Sequence, residues 1–175
     1  IFCLHLLLMA AFTAIPAVMT EQVGLPPEQH AWLYLATLCG ALPGVAMLVR
    51  RRQALDDSRP LLALSALLTV LGLVTALWAS SLLVLGVGLV LFFVGFTALE
   101  TILPALVSIV APTSLRGTAM GIFSSAQFLG VFTGGALGGN ALHVGGGAGL
   151  VAVLSMLTGI WLAGLWRYGR TPMAA

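Results

Sequence analysis

Six long apolar runs, separated by short polar interruptions, make up most of the chain: 1–20, 31–49, 61–79, 82–110, 117–139 and 148–166. None carries a polar face recurring at helical period, as a helix on the surface of a soluble bundle does. Nor do they alternate residue by residue over about 10 positions, as membrane barrel strands do. Each is long enough for a helix across a hydrocarbon core of roughly 30 Å, which takes about 20 residues. The pattern therefore predicts an all-α membrane protein with six transmembrane helices. The fourth run is longer than a perpendicular crossing needs and contains Pro104, which predicts a kinked or tilted helix.

Composition agrees with the pattern. The 175 residues are 60% hydrophobic and 7% charged, and a mean hydropathy of +1.12 excludes a soluble globular body. The chain opens at Ile1 inside an apolar run, so we expect the natural protein to extend further toward its N-terminus. Cys3 and Cys39 both lie in apolar runs, without the spacing of a disulfide framework or a metal site, and read as packed free thiols. No metal and no cofactor is expected.

A formal charge of +2 raises nucleic acid as a partner, but all seven basic residues are arginines clustered between apolar runs. That distribution reports membrane topology instead. Arg50, Arg51, Arg52 and Arg59 fall in one connection, Arg116 in another, and Arg167 and Arg170 follow the last run. The alternate connections, at 21–30, 80–81 and 140–147, have no Arg or Lys. The positive-inside rule puts the arginine side in the cytoplasm, with both ends of this multi-pass segment there. Trp161, Trp166, Trp32 and Tyr34 lie near span ends, where either interfacial anchoring or core packing suits them.

Against this apolar background three polar residues stand out. Glu100 is the one acidic residue inside a span, about ten residues from Val110, or roughly 15 Å deep. An ionised carboxylate facing lipid there costs several kcal/mol. It must therefore face the bundle interior or a wet cavity, or else carry a proton. A group that is neutral when dry and charged when wet meets the chemical requirement of proton coupling; a protonated Glu that fixes packing is the plainer alternative. Gln127 in the fifth run has a similar depth and can contact substrate, partner Glu100, or simply bond a neighbouring helix. His5 lies in the first run toward the cytoplasmic half and is either a satisfied core residue or a proton relay. His30 and His143 fall in outer connections as ordinary solvated residues.

Glycine spacing adds a packing signal. Gly130, Gly134 and Gly138 recur every four residues, as do Gly117, Gly121 and Ser125, leaving helix faces that another backbone can approach. Small residues gather in the second run (Gly40, Gly44, with Pro43) and in the fifth, equivalent places if the six helices form a 3+3 inverted repeat.

The stretch Gly130-Val-Phe-Thr-Gly134-Gly135-Ala-Leu-Gly138-Gly139 resembles the glycine-rich helix motif of antiporters in the major facilitator superfamily, with Gly135 where the usual pattern has Pro. The wider run 92–139, with Ala98-Leu-Glu100, Leu103-Pro104-Ala, Arg116-Gly-Thr-Ala-Met-Gly121 and Gln127-Phe-Leu-Gly130, and Cys3-Leu-His5 in the first run, is similar to the YajR-like drug-efflux branch. The resemblance covers essentially the whole chain, as helices seven to twelve. It implies half of a twelve-helix fold, the C-terminal half of a proton-coupled exporter of small molecules in the inner membrane, whose N-terminal six helices are absent here. Its partners would be the lipid bilayer, a small-molecule substrate, protons and that missing half. The loop of Arg50–Arg52 stands at the family's basic gating loop, but Leu48 replaces the acidic residue expected there, so no gating role carries over. In gating terms the resemblance points instead to the fifth-helix glycines.

Two other classes remain in view. A half-size membrane protein that self-associates, or a non-transporting scaffold, shares the same six-span pattern. An intramembrane serine protease needs a nucleophile in a motif such as Gly-x-Ser-Gly, and neither Ser124 nor Ser125 has that context, so no enzyme is expected.

Overall fold

The computed structural model describes residues 1–53 and 57–168, and the regular structure among them is helical. α1 (Phe2–Ala17) runs into one π turn at Val18–Gln22, and Gly24, at φ 73°, then turns the chain. α2 spans Pro27–Gln53, α3 Arg59–Leu77 and α4 Leu82–Val110. After a short turn at Thr113–Leu115 the helix resumes over Arg116–Tyr168 and is divided at Gly146, giving α5 (116–145) and α6 (147–168). Five of these helices are long and apolar enough to cross a bilayer, and the sixth apolar stretch, Ala148–Gly164, is shorter.

Local chemistry marks the helix starts. Pro27 opens α2 and Pro60 sits in the first turn of α3, positions where a missing N–H leaves no hydrogen bond unmade. Ser81 caps α4, its hydroxyl oxygen accepting from the Val84 N–H at 3.4 Å. Asp57 precedes α3 and accepts from both the Arg59 backbone N–H at 2.9 Å and its guanidinium at 2.7 Å. Inside the spans, hydroxyls bond to their own helix. Ser65 donates to Leu61 O and Thr69 to Ser65 O, each at 2.9 Å, so fully buried polar groups stay satisfied without water.

Two apolar clusters, one at each level of the bundle, fix how the helices run. In one, Leu4 near the start of α1 meets Leu61, Leu62 and Ala66 near the start of α3, together with Leu48 and Ile102 near the ends of α2 and α4. Trp161 and Leu162 of α6 pack against the same cluster. In the other, Ile15 and Met19 meet Leu73, Leu77, Leu85 and Leu150 from the opposite ends. Successive helices therefore alternate in direction, and the arginine-bearing ends share one side. Arg59 at the start of α3 lies 5.5 Å over the Trp166 ring near the end of α6, tying two of those ends together.

Glycines bring the backbones close. Gly130, Gly134 and Gly138 of α5 lie on Phe2, Leu6 and Ala10 of α1, so these two helices run parallel. Gly40 and Gly44 of α2 face Val90 and Val94 of α4, again in parallel. The pairings α1 with α5 and α2 with α4 exchange when each helix is mapped onto the one three later, as a three-plus-three arrangement requires. A third seam, formed by Gly72, Gly88 and Gly95 between antiparallel α3 and α4, has no four-residue spacing to reveal it in the sequence.

The structure corrects several sequence expectations. Arg50 and Arg51 continue α2 instead of lying in a loop, where their charge complements the C-terminal end of the helix dipole. Arg116 opens α5; the side chain of Arg52, and Arg170 altogether, lie outside the described residues. The expected outer loop at 140–147 is helical up to Gly146, because Gly146 at φ 58°, ψ −158° occupies a region open essentially to glycine alone and interrupts the helix within one residue. His143 accordingly sits on a helix, and His30 lies in the first turn of α2 with Nε2 3.0 Å from Leu25 O. Cys3 is partly buried, but Cys39 is exposed on α2 instead of packed.

The glycine faces divide likewise. Gly117, Gly121, Gly135 and Gly139 have no neighbour within 4 Å of where a Cβ would stand, so among the described residues no helix packs on them. They form an open stripe on α5, away from the face that meets α1, alongside exposed Phe128 and Phe132.

Candidate functional site

The polar residues of three different spans meet at the junction of the two apolar clusters. His5 is 5% exposed, its position on α1 bracketed by Leu4 of one cluster and Leu6 of the other. The Gln127 amide Nε2 from α5 donates to His5 Nε2 at 2.9 Å. Glu100 Oε2 from α4 lies 3.6 Å from the same ring nitrogen, ion-pair distance when the imidazole is protonated and too long for a good hydrogen bond when it is not. The other ring nitrogen, Nδ1, is 3.4 Å from the Ile1 carbonyl oxygen one turn back.

Each side chain is aimed by its helix. The close α1–α5 seam sets Gln127 against His5, and on the next turn Gly130 leaves room for Phe2 and for the His5 Cβ. Phe96, one turn before Glu100 on α4, presents its ring to His5 edge-on at 5.7 Å and stacks on Phe92 at 5.8 Å. The imidazole is thus confined between an amide, a carboxylate and an aromatic wall. Exposure is graded across the group: the Glu100 side chain is 28% exposed and that of His5 6%, so the carboxylate is the open end and the imidazole the enclosed one. An acid at the open end and a base within reach at the enclosed end form a pair between which a proton can pass.

His5, expected shallower than Glu100, is level with it, because α1 and α5 are parallel and in register from Phe2 and Gly130 onward. Gln127 reaches Glu100 only through His5. Phe96 was not singled out by sequence, since one Phe in an apolar run carries no signal. Tyr34, for which the sequence offered interfacial anchoring or core packing, stacks on Phe12 at 5.2 Å and holds its hydroxyl buried with no hydrogen-bond partner among the described residues. Two apolar grooves lie apart from the polar group. One, of about 570 Å³, is bounded by Val107, Val110, Leu115 and Ile122, and the other, of about 710 Å³, by Thr37, Leu83, Val87 and Val90. Among the described residues no three His, Cys, Asp or Glu side chains gather as a metal site would need.

Comparison with known proteins adds a pattern of similarity to transporters. The chain is 36% identical over 164 residues to the inner membrane transport protein YajR of Escherichia coli, a match covering 93% of this chain and 36% of that protein. It is 31% identical over 137 residues to an uncharacterized transporter of Buchnera aphidicola subsp. Acyrthosiphon pisum, covering 77% of this chain and 34% of the relative. Over 52 residues, 30% of this chain and 13% of the relative, it is 50% identical to an uncharacterized transporter of Buchnera aphidicola subsp. Baizongia pistaciae. No family model matches. The chain spans little more than a third of the length of the curated relative that it matches most fully.

Proposed function

We propose that this chain is the C-terminal six-helix half of a major facilitator superfamily transporter of the inner membrane, one that exports small molecules in exchange for protons. The observation that carries the reading is the meeting of Glu100, His5 and Gln127 from three spans at one depth. Buried polar groups of this kind are costly in a membrane and mark ion or substrate pathways. Similarity to named transporters over 93% of the chain supports the transport class. In this reading Glu100 exchanges protons with the cavity, His5 holds the proton out of water, and Gln127 fixes the imidazole. The missing six helices cover the open stripe of Gly117, Gly121, Gly135 and Gly139, where absent side chains allow close approach.

The test of coupling uses the full-length protein in liposomes loaded with a lipophilic cationic dye. Imposing a pH gradient should drive dye across the membrane, and a protonophore should abolish the flux. Flux that is indifferent to both would remove proton coupling from the reading.

Orientation is tested separately. With Cys3 and Cys39 replaced, a single cysteine at Ser114 should resist a membrane-impermeant maleimide added to intact cells, and one at Glu28 should react. Reaction at Ser114 from outside would reverse the proposed topology, which has the arginine-bearing ends in the cytoplasm.

A further inference from the structure

We infer that Gln127 and Glu100 compete for one nitrogen of His5, so that a proton arriving on His5 transfers its bond from α5 to α4. The inference rests on the reading of Glu100 as a proton-exchanging group and adds a device to it. An amide nitrogen can only donate, so with Gln127 Nε2 at 2.9 Å the neutral imidazole must accept through the Nε2 lone pair. Its single proton is then on Nδ1, toward the Ile1 carbonyl oxygen at 3.4 Å. This fixes the tautomer and leaves Nε2 as the site where a new proton lands.

Protonation reverses the polarity of that contact. When the Glu100 carboxyl gives its proton to Nε2, the O–H bond breaks, an N–H bond forms, and a carboxylate faces an imidazolium with no net charge created. Two N–H groups then oppose each other across 2.9 Å, so the Gln127 amide must turn over to offer Oε1 or withdraw. Glu100 Oε2, at 3.6 Å and now charged, is the stronger acceptor, and a small approach completes the bond. The titratable neighbours are few. α4 contributes Glu100, α5 has no ionisable residue between Arg116 and His143, and α3 has none after Arg59. On α1 itself there is the Cys3 thiol. The exchange therefore takes place between one acid and one base, with Gln127 as the positioning residue that reports which of them holds the proton.

Magic-angle NMR of the full-length protein in bilayers, with 15N-labelled histidine and glutamine, tests this; His5→Asn and Gln127→Leu assign the signals. At high pH His5 should be protonated at Nδ1 and bare at Nε2. On acidification both nitrogens should become protonated, and the Gln127 side-chain amide signal should move with the same midpoint. In Gln127→Leu the neutral ring should become a mixture of tautomers. A proton on Nε2 at high pH, or a Gln127 signal that stays still while His5 titrates, would overturn the exchange. Dye flux measured on the same liposomes separates the two ideas. Proton-driven flux with a stationary Gln127 signal discards the exchange and spares the transport reading. A moving signal without proton-driven flux does the reverse.

Discussion

Replacing Gly134 with leucine is expected to destabilise the bundle by about 2–3 kcal/mol, the range for forcing atoms into an already close-packed contact. A Cβ at Gly134 would already overlap Leu6 O and stand 2.7 Å from Leu6 Cα, all of it backbone. Backbone cannot rotate away as a side-chain tip can, so α1 must move as a unit or the helices must part. Thermal unfolding of the purified full-length protein in detergent measures the effect, and Gly134→Ala should show a smaller loss in the same direction. Gly159→Ala is the control, since nothing lies within 4 Å of its Cβ position, and its effect should stay within about 0.5 kcal/mol. Equal melting temperatures for Gly134→Leu and the control would show that the seam does not hold the fold together.

Glu100→Gln is expected to cut proton-driven flux at least about tenfold, the equivalent of about 1.4 kcal/mol, while leaving the melting temperature nearly unchanged. The amide has almost the shape of the carboxyl group and can still meet His5 Nε2, so the packing around Phe96 need not change. What disappears is the group that can take a proton at the open end of the pair. Glu100→Asp keeps that chemistry on a shorter stem and should retain part of the flux. Counterflow, in which dye exchanges without a proton gradient, should survive in Glu100→Gln. Loss of both activities together would make Glu100 a substrate contact, and unchanged coupling would remove it from the proton path.

Much of this was legible in the chain because a membrane makes polar residues conspicuous. Glu100, His5 and Gln127 could be singled out as exceptions inside apolar runs, but their meeting at His5 could not, since His5 read as shallower than Glu100 and span order alone does not say which helices touch. The α1–α5 seam was visible in the four-residue repeat of Gly130, Gly134 and Gly138. The companion stripe at Gly117, Gly121, Gly135 and Gly139 has similar spacing yet meets nothing among the described residues, since spacing reveals a smooth face and not what covers it. Gly72, Gly88 and Gly95 escaped notice because an antiparallel seam is assembled from two distant segments, neither of which has the repeat alone. The stretch 140–147 read as an outer connection between two apolar runs, whereas a single residue at positive φ was enough to end α5.

The seam between α1 and α5 also works as a ruler. Alanines at Gly130, Gly134 and Gly138 would hold the two axes apart by the thickness of a methyl layer. The 2.9 Å span from Gln127 to His5 would then stretch beyond bonding range. Atoms missing from three positions thus calibrate a contact between two others. Substitutions that never touch the imidazole should therefore detune it, in proportion to the width they add.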